Sequence, residues 1–524
     1  MTSGYLAIVL HAHLPYVRHP EYEDALEEKW LFEALTETYV PLLLVMESLV
    51  EDGIDFRLNV SLSPPLISML LDPFLRSRYL KTLGGLIELA RKEIDRTKDQ
   101  PRFHPLALMY HRRLSAVREA FVRRYKQNLV AAFKRFQGLG KVEILASAAT
   151  HGYLPLLAVN PSAVRAQIKI GVGLHRRVFR RRPKGFWLPE CGYYPGLDSL
   201  LSEEGIRYTV LETHGITRGQ PRPEYGVYAP VKCPSGIAAF GRDPESSKQV
   251  WSSIEGYPGD YDYREFYRDI GYDLDQEYLK PYLTEAGTRI DTGLKYYRIT
   301  GKTERKEPYV PEWAEKKAEA HAGNFIFNRQ KQIEYLASRM HRKPIVVAPY
   351  DAELFGHWWY EGPAWLNYLF RKIAQEQGTV RLVTFSEYLA EYPASQNASP
   401  CASSWGYKGF SEVWLNGKND WIYPHLHRAA RLMEKLAVRH PKARGLTLRA
   451  LNQARRELLL AQSSDWAFMI NSGAVADYAT RRTRTHLLRF NRLARQIQTK
   501  QINKDWLSAI EQQDNIFADP ILAP

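Results

Sequence analysis

The sequence predicts an α/β fold, a β/α barrel of about seven parallel strands, one short of a TIM barrel, joined to helical additions. Seven short segments are apolar or β-branched throughout rather than alternating, which is typical of strands covered on both faces. Helical patterns separate them, and polar residues follow several of them directly, at the strand ends where barrels carry active sites. The segments are YLAIVL (5–10), FRLNVSLS (56–63), VEILASAAT (142–150), GFWLP (185–189), YTVLET (208–213), PIVVAPY (344–350) and VRLVTF (380–385).

Two regions outside this alternation are predicted to be helical. Residues 66–138 lie between the second and third segments and contain an apolar helical face. That face is formed by Tyr110, Leu114, Val117, Phe121, Tyr125, Leu129, Ala132 and Phe136. Helical patterns also follow the weakly hydrophobic segment 393–404. We therefore expect a barrel domain over 1–395, including the helical insertion 66–138, and an all-helical C-terminal domain over 396–524.

The composition is that of an ordinary globular chain with two deviations. The 524 residues carry a net charge of +14, and 12% of them are aromatic. Such a chain is typical either of nucleic-acid binding or of carbohydrate binding, because bases and sugar rings both pack on aromatic side chains. The densest basic run, 175–184, is interpreted as the solvated end of a helix, and no nucleic-acid motif accompanies it. We therefore expect no nucleic-acid partner.

Targeting and redox signals are weak. The sequence has no apolar run of about 18 residues, and its first residues lack the basic region of a signal peptide. Its three cysteines, Cys191, Cys233 and Cys401, cannot build a disulfide framework, and the absence of a CxxC pair excludes a thiolate zinc site. These features predict a cytoplasmic protein with no membrane partner.

Two carboxylates are the strongest candidates for catalysis. Glu190 in GFWLPECGYYPG and Asp351 in APYDAELFGHWWYEGP each follow a predicted strand and lie among aromatic residues. Two carboxylates at one barrel mouth are the equipment of a retaining glycosidase or transglycosylase, in which one attacks the anomeric carbon and the other protonates the leaving oxygen.

The histidines at the end of the first segment have three interpretations. His11 and His13 are two residues apart and therefore point to the same face of a strand. They could bind a metal together with further ligands from His151, His214 or His357. They could instead donate hydrogen bonds to a sugar, or simply form a stacked, satisfied pair.

Aromatic residues cluster beside both carboxylates and in the C-terminal domain. They are Trp187, Tyr193, Tyr194, Trp358, Trp359, Tyr360, Trp405, Trp414 and Trp421, with Trp466 beside Asp465. The loop 215–236 follows a strand end and is stiffened by four prolines, so we expect it to cover the site as a lid.

Several of these motifs resemble those of glycoside hydrolase family 57, and most closely its 1,4-α-glucan branching branch. They are HAHLPY, THGYLP, GFWLPECGY, PYDAELFGHWWYEG, SEVWLNGKNDWIY and SSDWAF, in this order over residues 5–480. The resemblance implies an incomplete, TIM-like (β/α)7 barrel with a helical insertion and a helical C-terminal domain that contributes to a glucan cleft. It also implies a retaining mechanism without metal or other cofactor.

The resemblance assigns roles residue by residue. Glu190 matches the family nucleophile and Asp351 the acid/base. Ala12 stands where much of the wider family has Gln, which favours the branching branch. The substrate-binding positions that the resemblance or the motifs suggest are His11, His13, Trp30, His151, Trp251, Arg264, His357, Trp405, Trp414 and Asp465.

The implied activity is α-1,4-glucan branching on amylose or glycogen by a monomer or weak oligomer. Three alternatives stay open. The same scaffold could hydrolyse glucans or transfer them to a 4-hydroxyl. The HAH pair could serve a metal-dependent hydrolase. The net charge could belong to a non-catalytic protein that binds a polyanion or a glucan.

Overall fold

The structure, a computed structural model, describes residues 2–252, 255–283, 287–393 and 396–517. The strands of this part of the chain are β1 (Gly4–Ala12), β2 (Leu58–Leu62), β3 (Val142–Ser147), β4 (Gly185–Trp187), β5 (Tyr208–Leu211), β6 (Val231–Lys232), β7 (Ala238–Gly241), β8 (Ile345–Asp351), β9 (Val380–Leu382) and β10 (Gln396–Asn397).

The strands form one curled sheet in the order β10-β6-β7-β5-β4-β3-β2-β1-β8, with β9 pairing beside the start of β1. All neighbours from β7 to β8 are parallel. Among the described residues β7 and β8 do not pair as strands, although Asp243 N donates a hydrogen bond of 2.8 Å to Val347 O. The fold class is therefore confirmed: the barrel is incomplete and its strands are parallel.

Each of the seven predicted segments contains a strand, but the set differs in one respect. The segment 380–385 forms β9, which lies at the margin, whereas the seventh strand of the long parallel run is β7, of sequence AAFG. This strand is short, has no β-branched residue and follows a proline-rich loop, so its sequence carries no strand pattern.

The helices surround the sheet and make up the C-terminal part of the chain. They are α1 (Glu28–Glu33), α2 (Val40–Glu51), α3 (Pro64–Leu71), α4 (Pro73–Arg96), α5 (His104–Glu119), α6 (Leu129–Gly138), α7 (Leu154–Leu157), α8 (Pro161–Phe179), α9 (Leu197–Glu203), α10 (Thr213–Thr217), α11 (Pro244–Trp251), α12 (Ile270–Asp273), α13 (Gln276–Leu279), α14 (Pro311–Ala337), α15 (Gly362–Gln375), α16 (Phe385–Glu391), α17 (Ile422–Arg439), α18 (Gly445–Ala461), α19 (Ser464–Ser472), α20 (Ala476–Thr499) and α21 (Lys504–Gln513).

The helical insertion comprises α3 to α6, and its first two helices each begin after a capping residue. Ser63 caps α3 by accepting a hydrogen bond from Leu66 N, and Asp72 caps α4 in the same way. The predicted domain boundary at 395 adjoins residues 394–395, which lie outside the described residues, as do residues 518–524. No helix in the described ranges has the length and hydrophobicity that a bilayer span needs.

The alternation of side chains along β1 determines which of its residues point into the barrel. Tyr5, Ala7 and Val9 point into the barrel, where they pack with residues such as Trp187. The alternate residues of β1 pack in the larger core formed with the helices. Because side chains alternate along a strand, His11 continues the inward row and emerges at the carboxyl end of the barrel. The register also pairs His11 with Asp351 of β8.

Candidate active site

A cavity of about 1100 Å³ opens at the carboxyl ends of the strands, between the barrel and the C-terminal region. Both predicted catalytic carboxylates line it. Ten of the twelve predicted site residues belong to its lining, namely His11, His13, His151, Glu190, Trp251, Arg264, Asp351, Trp405, Trp414 and Asp465. The tertiary structure thus brings together residues that are up to 454 positions apart, from His11 to Asp465.

Glu190 sits in a sharp turn directly after β4. Its backbone is left-handed, with φ of 61°, and so are those of Cys191 and of His151 across the cavity. Non-glycine residues rarely adopt this conformation, which persists only where surrounding contacts hold it. The turn presents the Glu190 carboxylate to the cavity instead of continuing the strand.

Two side chains of the C-terminal region donate hydrogen bonds to this carboxylate from the opposite side. The indole nitrogen of Trp405 donates a hydrogen bond of 2.8 Å to Glu190 Oε2, and Ser464 Oγ donates one of 2.9 Å to Oε1. The Trp405 backbone N–H also bonds to the Glu190 carbonyl at 3.0 Å. Donors of this kind favour the ionised carboxylate and fix its orientation.

The two carboxyl groups have different surroundings. Burial raises the pKa of Glu190 overall, although the hydrogen bonds from Trp405 and Ser464 oppose that rise, whose extent they limit. Burial also raises the pKa of Asp351, to well above its ordinary value, and Glu353 and Glu190 raise it further. Among the described residues no side chain donates a hydrogen bond to the Asp351 carboxylate. Such a pair suits a nucleophile that stays ionised and an acid that keeps its proton.

Glu353 is a third carboxyl group of the cavity that the sequence analysis did not single out. Its Oε1 accepts hydrogen bonds from the His13 backbone N–H at 3.1 Å and from the Tyr39 hydroxyl. Burial raises its pKa to about 7. The only sequence signal was its position two residues after Asp351, within the same motif.

The histidines form a buried stack on the floor of the cavity. The Nε2 atoms of His11 and His151 are 3.0 Å apart, and His13 lies over His151 with ring centroids 3.7 Å apart. Burial lowers the pKa of His11 and of His151 well below the ordinary value. For His13 burial acts in the same direction, but Asp465, 3.1 Å from its Nε2, raises the pKa overall.

This arrangement favours hydrogen bonding over metal binding. His13, His151 and Asp465 offer ligand atoms within 4.8 Å of one another. The rings of His13 and His151 are nearly parallel, however, at 17°, so their nitrogens point side by side rather than towards one centre. Tetrahedral zinc needs ligands that converge. Both nitrogens of His13 also have partners, Ser63 and Asp465.

Aromatic side chains form the upper wall. Trp405 makes edge-on contacts with Trp187 and with Trp251, with ring centroids 5.3 Å and 6.3 Å apart. Trp414 is only 1% exposed and stacks on Tyr153, so most of its ring is structural. The more exposed rings are Trp251, Tyr267, Trp358, Tyr407 and Phe468.

A family model described as glycosyl hydrolase family 57 matches residues 7–398 of this chain. The chain belongs to glycosyl hydrolase family 57. A second model, described as 1,4-alpha-glucan branching enzyme, C-terminal, matches residues 425–520.

Individual members of family 57 are similar over nearly the whole chain. The 1,4-alpha-glucan branching enzyme TK1436 of Thermococcus kodakarensis is 33% identical over 100% of this chain and 78% of its own. The crystal structure of the alpha-amylase AmyC of Thermotoga maritima is 44% identical, with a TM-score of 0.93 and 99% of both chains covered. That of the family 57 branching enzyme of Pyrococcus horikoshii is 33% identical, with a TM-score of 0.89 and 99% and 96% covered.

Two predicted site residues of this family 57 chain lie outside the cavity lining. Trp30 packs edge-on against Tyr478, with ring centroids 5.8 Å apart, and so joins the barrel domain to α20. His357 lies behind the wall, where its Nδ1 is 2.8 Å from Glu37 Oε2 and its ring meets that of Trp358. Both side chains are partly buried, and the structure places neither among the residues that line the cavity.

Arg264 reaches the cavity edge but is itself structural. The side chain is buried, donates to Glu37 Oε1 at 3.2 Å and lies over the Tyr360 ring at 3.9 Å. A guanidinium held in this way orients its neighbours more than it contacts a ligand.

The prediction that loop 215–236 is a lid is wrong. No residue of the loop lines the cavity. Gln220 bonds to Ser399, and the Tyr228 carbonyl accepts a hydrogen bond from Ile345 N at the start of β8, the opposite end of the strand from Asp351. The loop therefore runs down the side of the barrel. The cover is supplied instead by parts of the segment between α11 and α14, through Pro258–Tyr267 and Ile299–Lys306.

Proposed function

We propose that this chain is a 1,4-α-glucan branching enzyme that works by retaining transglycosylation, with Glu190 as nucleophile and Asp351 as acid/base. The observation that carries this proposal is the unequal environment of two carboxyl groups in one cavity. Glu190 is held by two donors from the C-terminal region, whereas no side chain in the described part of the chain donates a hydrogen bond to Asp351, whose pKa Glu353 raises. This asymmetry gives each group one of the two roles that retention requires.

In the first step Asp351 donates its proton to the glycosidic oxygen of an α-1,4 linkage while Glu190 attacks C1. The bond to the leaving chain breaks, and a covalent glycosyl-enzyme forms. Trp405 and Ser464 keep the Glu190 carboxylate aligned for this attack, and their hydrogen bonds to it preserve its negative charge beforehand.

In the second step the acceptor decides the product. Asp351, now ionised, removes a proton from a glucan 6-hydroxyl, which attacks C1 and releases Glu190. An α-1,6 branch results. Exposed rings at the mouth, such as Trp251 and Trp358, offer apolar faces on which the acceptor glucan can pack while water is excluded.

Two comparisons support branching in particular. A model described for the C-terminal part of 1,4-alpha-glucan branching enzymes matches residues 425–520, which include Ser464. The relatives from Thermococcus kodakarensis and Pyrococcus horikoshii also carry that name.

A second candidate is hydrolysis of α-glucans by the same carboxylates. The specific observation behind it is the 44% identity to the Thermotoga maritima protein described as an alpha-amylase. In this reaction water takes the place of the 6-hydroxyl in the second step, and the rest of the mechanism is unchanged.

The two candidates are separated by incubating the protein with amylose. New α-1,6 linkages are counted as chains released by isoamylase, and new reducing ends are measured in parallel before debranching. Branching predicts more α-1,6 linkages than reducing ends. Reducing ends without α-1,6 linkages would assign hydrolysis, and disproportionation without either would assign 4-α-glucanotransfer.

A further inference from the structure

A second cavity, of about 490 Å³, lies among α1, α4, α5 and residues 290–293. Its volume falls within the roughly 300–1,000 Å³ range of small-molecule sites. Its inner surface is apolar and aromatic, formed by Phe32, Tyr79, Leu86, Tyr110, Leu114 and Tyr360. The enzymatic mechanism above uses none of these residues.

Charged groups surround this aromatic floor in near balance. Five carboxylates line the cavity, from Glu23, Asp24, Glu33, Glu37 and Asp291. Four basic groups accompany them, from Lys29, Lys81, Arg113 and Lys280. Such a balance disfavours both a polyanion and a cation, and suits a neutral ligand that has apolar faces and many hydroxyl groups.

Two of the charged groups have hydrogen-bonding capacity to spare. Lys29 and Glu33 face the cavity from α1. Within the described residues, no hydrogen bond or close ion pair joins these two side chains. The nearest cation to Glu33 is His357 Nε2, at 4.0 Å. A carboxylate accepts from adjacent hydroxyls and an ammonium donates to them, which is the pairing that a sugar requires.

The second cavity shares a wall with the catalytic one. Tyr360 lines the second cavity and is held between Arg113 on one side, at 4.0 Å, and Arg264 on the other, at 3.9 Å. Arg264 lines the catalytic cavity and donates to Glu37, which lines the second. A chain bound in the second cavity is therefore next to the reacting glucan.

We propose that the second cavity is a non-catalytic binding site for an α-glucan chain. The identity of the ligand as an α-glucan rests on the proposed function, whereas the neutral, polyhydroxylated character of the ligand rests on the lining. The site would hold a part of the polymer that does not react and raise the local concentration of chains at the catalytic cavity.

Adjacent glycines of α4 provide a matched pair of variants. Gly85 lines the cavity, and a Cβ there would meet only Tyr282 Cδ1, at 3.9 Å, so Gly85→Trp can fill the space without a backbone clash. Gly84 is exposed on the same helix with nothing within 4 Å of an added Cβ, so Gly84→Trp is the control.

The experiment is a calorimetric titration of maltohexaose into Glu190→Gln enzyme. We expect two molecules bound per chain, one after Gly85→Trp and two after Gly84→Trp. The milder double variant Lys29→Ala/Glu33→Ala should weaken only one of the two sites, by at least tenfold. One molecule bound per chain regardless of Gly85→Trp and of the Lys29/Glu33 variant would overturn the proposal.

The failure of this inference is distinguishable from failure of the proposed function. Amylose that acquires no α-1,6 linkages would reject branching, while the loss of one maltohexaose site in Gly85→Trp would still establish the second site. Conversely, full branching with a single site that Gly85→Trp leaves intact would reject the second site alone.

Discussion

At the scale of single residues, the site separates two chemically similar groups by their neighbours. Glu190 and Asp351 are both carboxylic acids, they follow or end the strands β4 and β8, and they line the same cavity. Trp405 and Ser464 donate to the first, whereas Glu353 repels the ionised form of the second. In the proposed mechanism, the different roles of the two carboxyl groups therefore come from a few hydrogen bonds and one like charge.

The catalytic pair gives the first prediction. Glu190→Gln and Asp351→Asn should each lower turnover on amylose by at least about 10³-fold, because each removes a nucleophile or a proton donor. Both variants should keep the circular dichroism spectrum of the parent. The products should retain the α configuration by NMR, as expected for carboxyl groups about 5–5.5 Å apart. Turnover by Glu190→Gln or inverted products would contradict the assignment.

Glu353 gives a prediction about pH. Activity should fall at low pH as Glu190 becomes protonated, and at high pH as Asp351 loses its proton. Because Glu353 raises the pKa of Asp351, Glu353→Gln should move the high-pH limb of the kcat/KM profile to lower pH. The low-pH limb should stay in place. A high-pH limb that does not move would show that Glu353 has no influence on Asp351.

At the scale of elements, two connecting segments close the site above the strand ends. Part of the segment between α11 and α14 covers the cavity, and the stretch before α17 delivers Trp405. The proline-rich loop 215–236, by contrast, joins the barrel wall to residues 396–399. We therefore expect the first two segments, rather than the loop, to influence which acceptor reacts.

Trp405 allows the hydrogen bond and the wall to be tested separately. Trp405→Phe keeps a ring but removes the donor to Glu190, so it should lower total turnover and shift the low-pH limb upward with an unchanged product ratio. Trp405→Ala also opens the wall to water and should shift products from α-1,6 branches towards reducing ends. If both variants change the two products in the same proportion, Trp405 has no part in acceptor choice.

Two variants, one at the cavity mouth and one in the loop 215–236, test which segment affects the products. Trp251→Ala, at the cavity mouth, should raise the ratio of reducing ends to branches. Tyr225→Ala, in the loop 215–236 and outside the cavity lining, should leave that ratio unchanged. Measurement of both products on amylose decides the matter, and an effect of Tyr225→Ala equal to that of Trp251→Ala would reject the distinction between the segments.

At the scale of the whole molecule, the end of the chain fastens the C-terminal helices to the barrel domain. Asp514 is buried between Arg482 and Arg489 of α20. The next residue, Asn515, bonds to Tyr16 and to Asp72 in the barrel domain. The two regions that line the cavity are therefore connected by the polar contacts of Asn515 as well as by packing.

Asp514→Asn should destabilise the protein by about 3–5 kcal/mol, because it leaves buried arginines without their partner. Burial alone would raise the pKa of Asp514, but Arg482, with His486 and Arg489, lowers it overall. Its contribution is thus present above the unfolded pKa and lost as pH falls through the lower folded value. Chemical unfolding against pH tests this, with exposed Asp505→Asn as the control. Equal stability of both variants would contradict it.

The sequence alone determined the barrel class, the positions of most strands and the two carboxylates, since all rest on local patterns. An apolar run followed by a polar residue marks a buried strand and its end wherever the strand lies. The motifs around Glu190 and Asp351 are of this kind. Strand β7, which has no such pattern, was missed for the same reason.

Only the tertiary structure decided which distant groups meet. Strand register pairs His11 with Asp351, and helix packing brings Ser464 to Glu190 across 274 residues. The tertiary structure also places loop 215–236 along the side of the barrel, towards the end opposite Asp351. It makes parts of the segment between α11 and α14 the cover of the cavity. The path of a polar loop depends on the surfaces against which it packs. Because residues far away in the chain form those surfaces, the sequence of the loop itself does not predict its path.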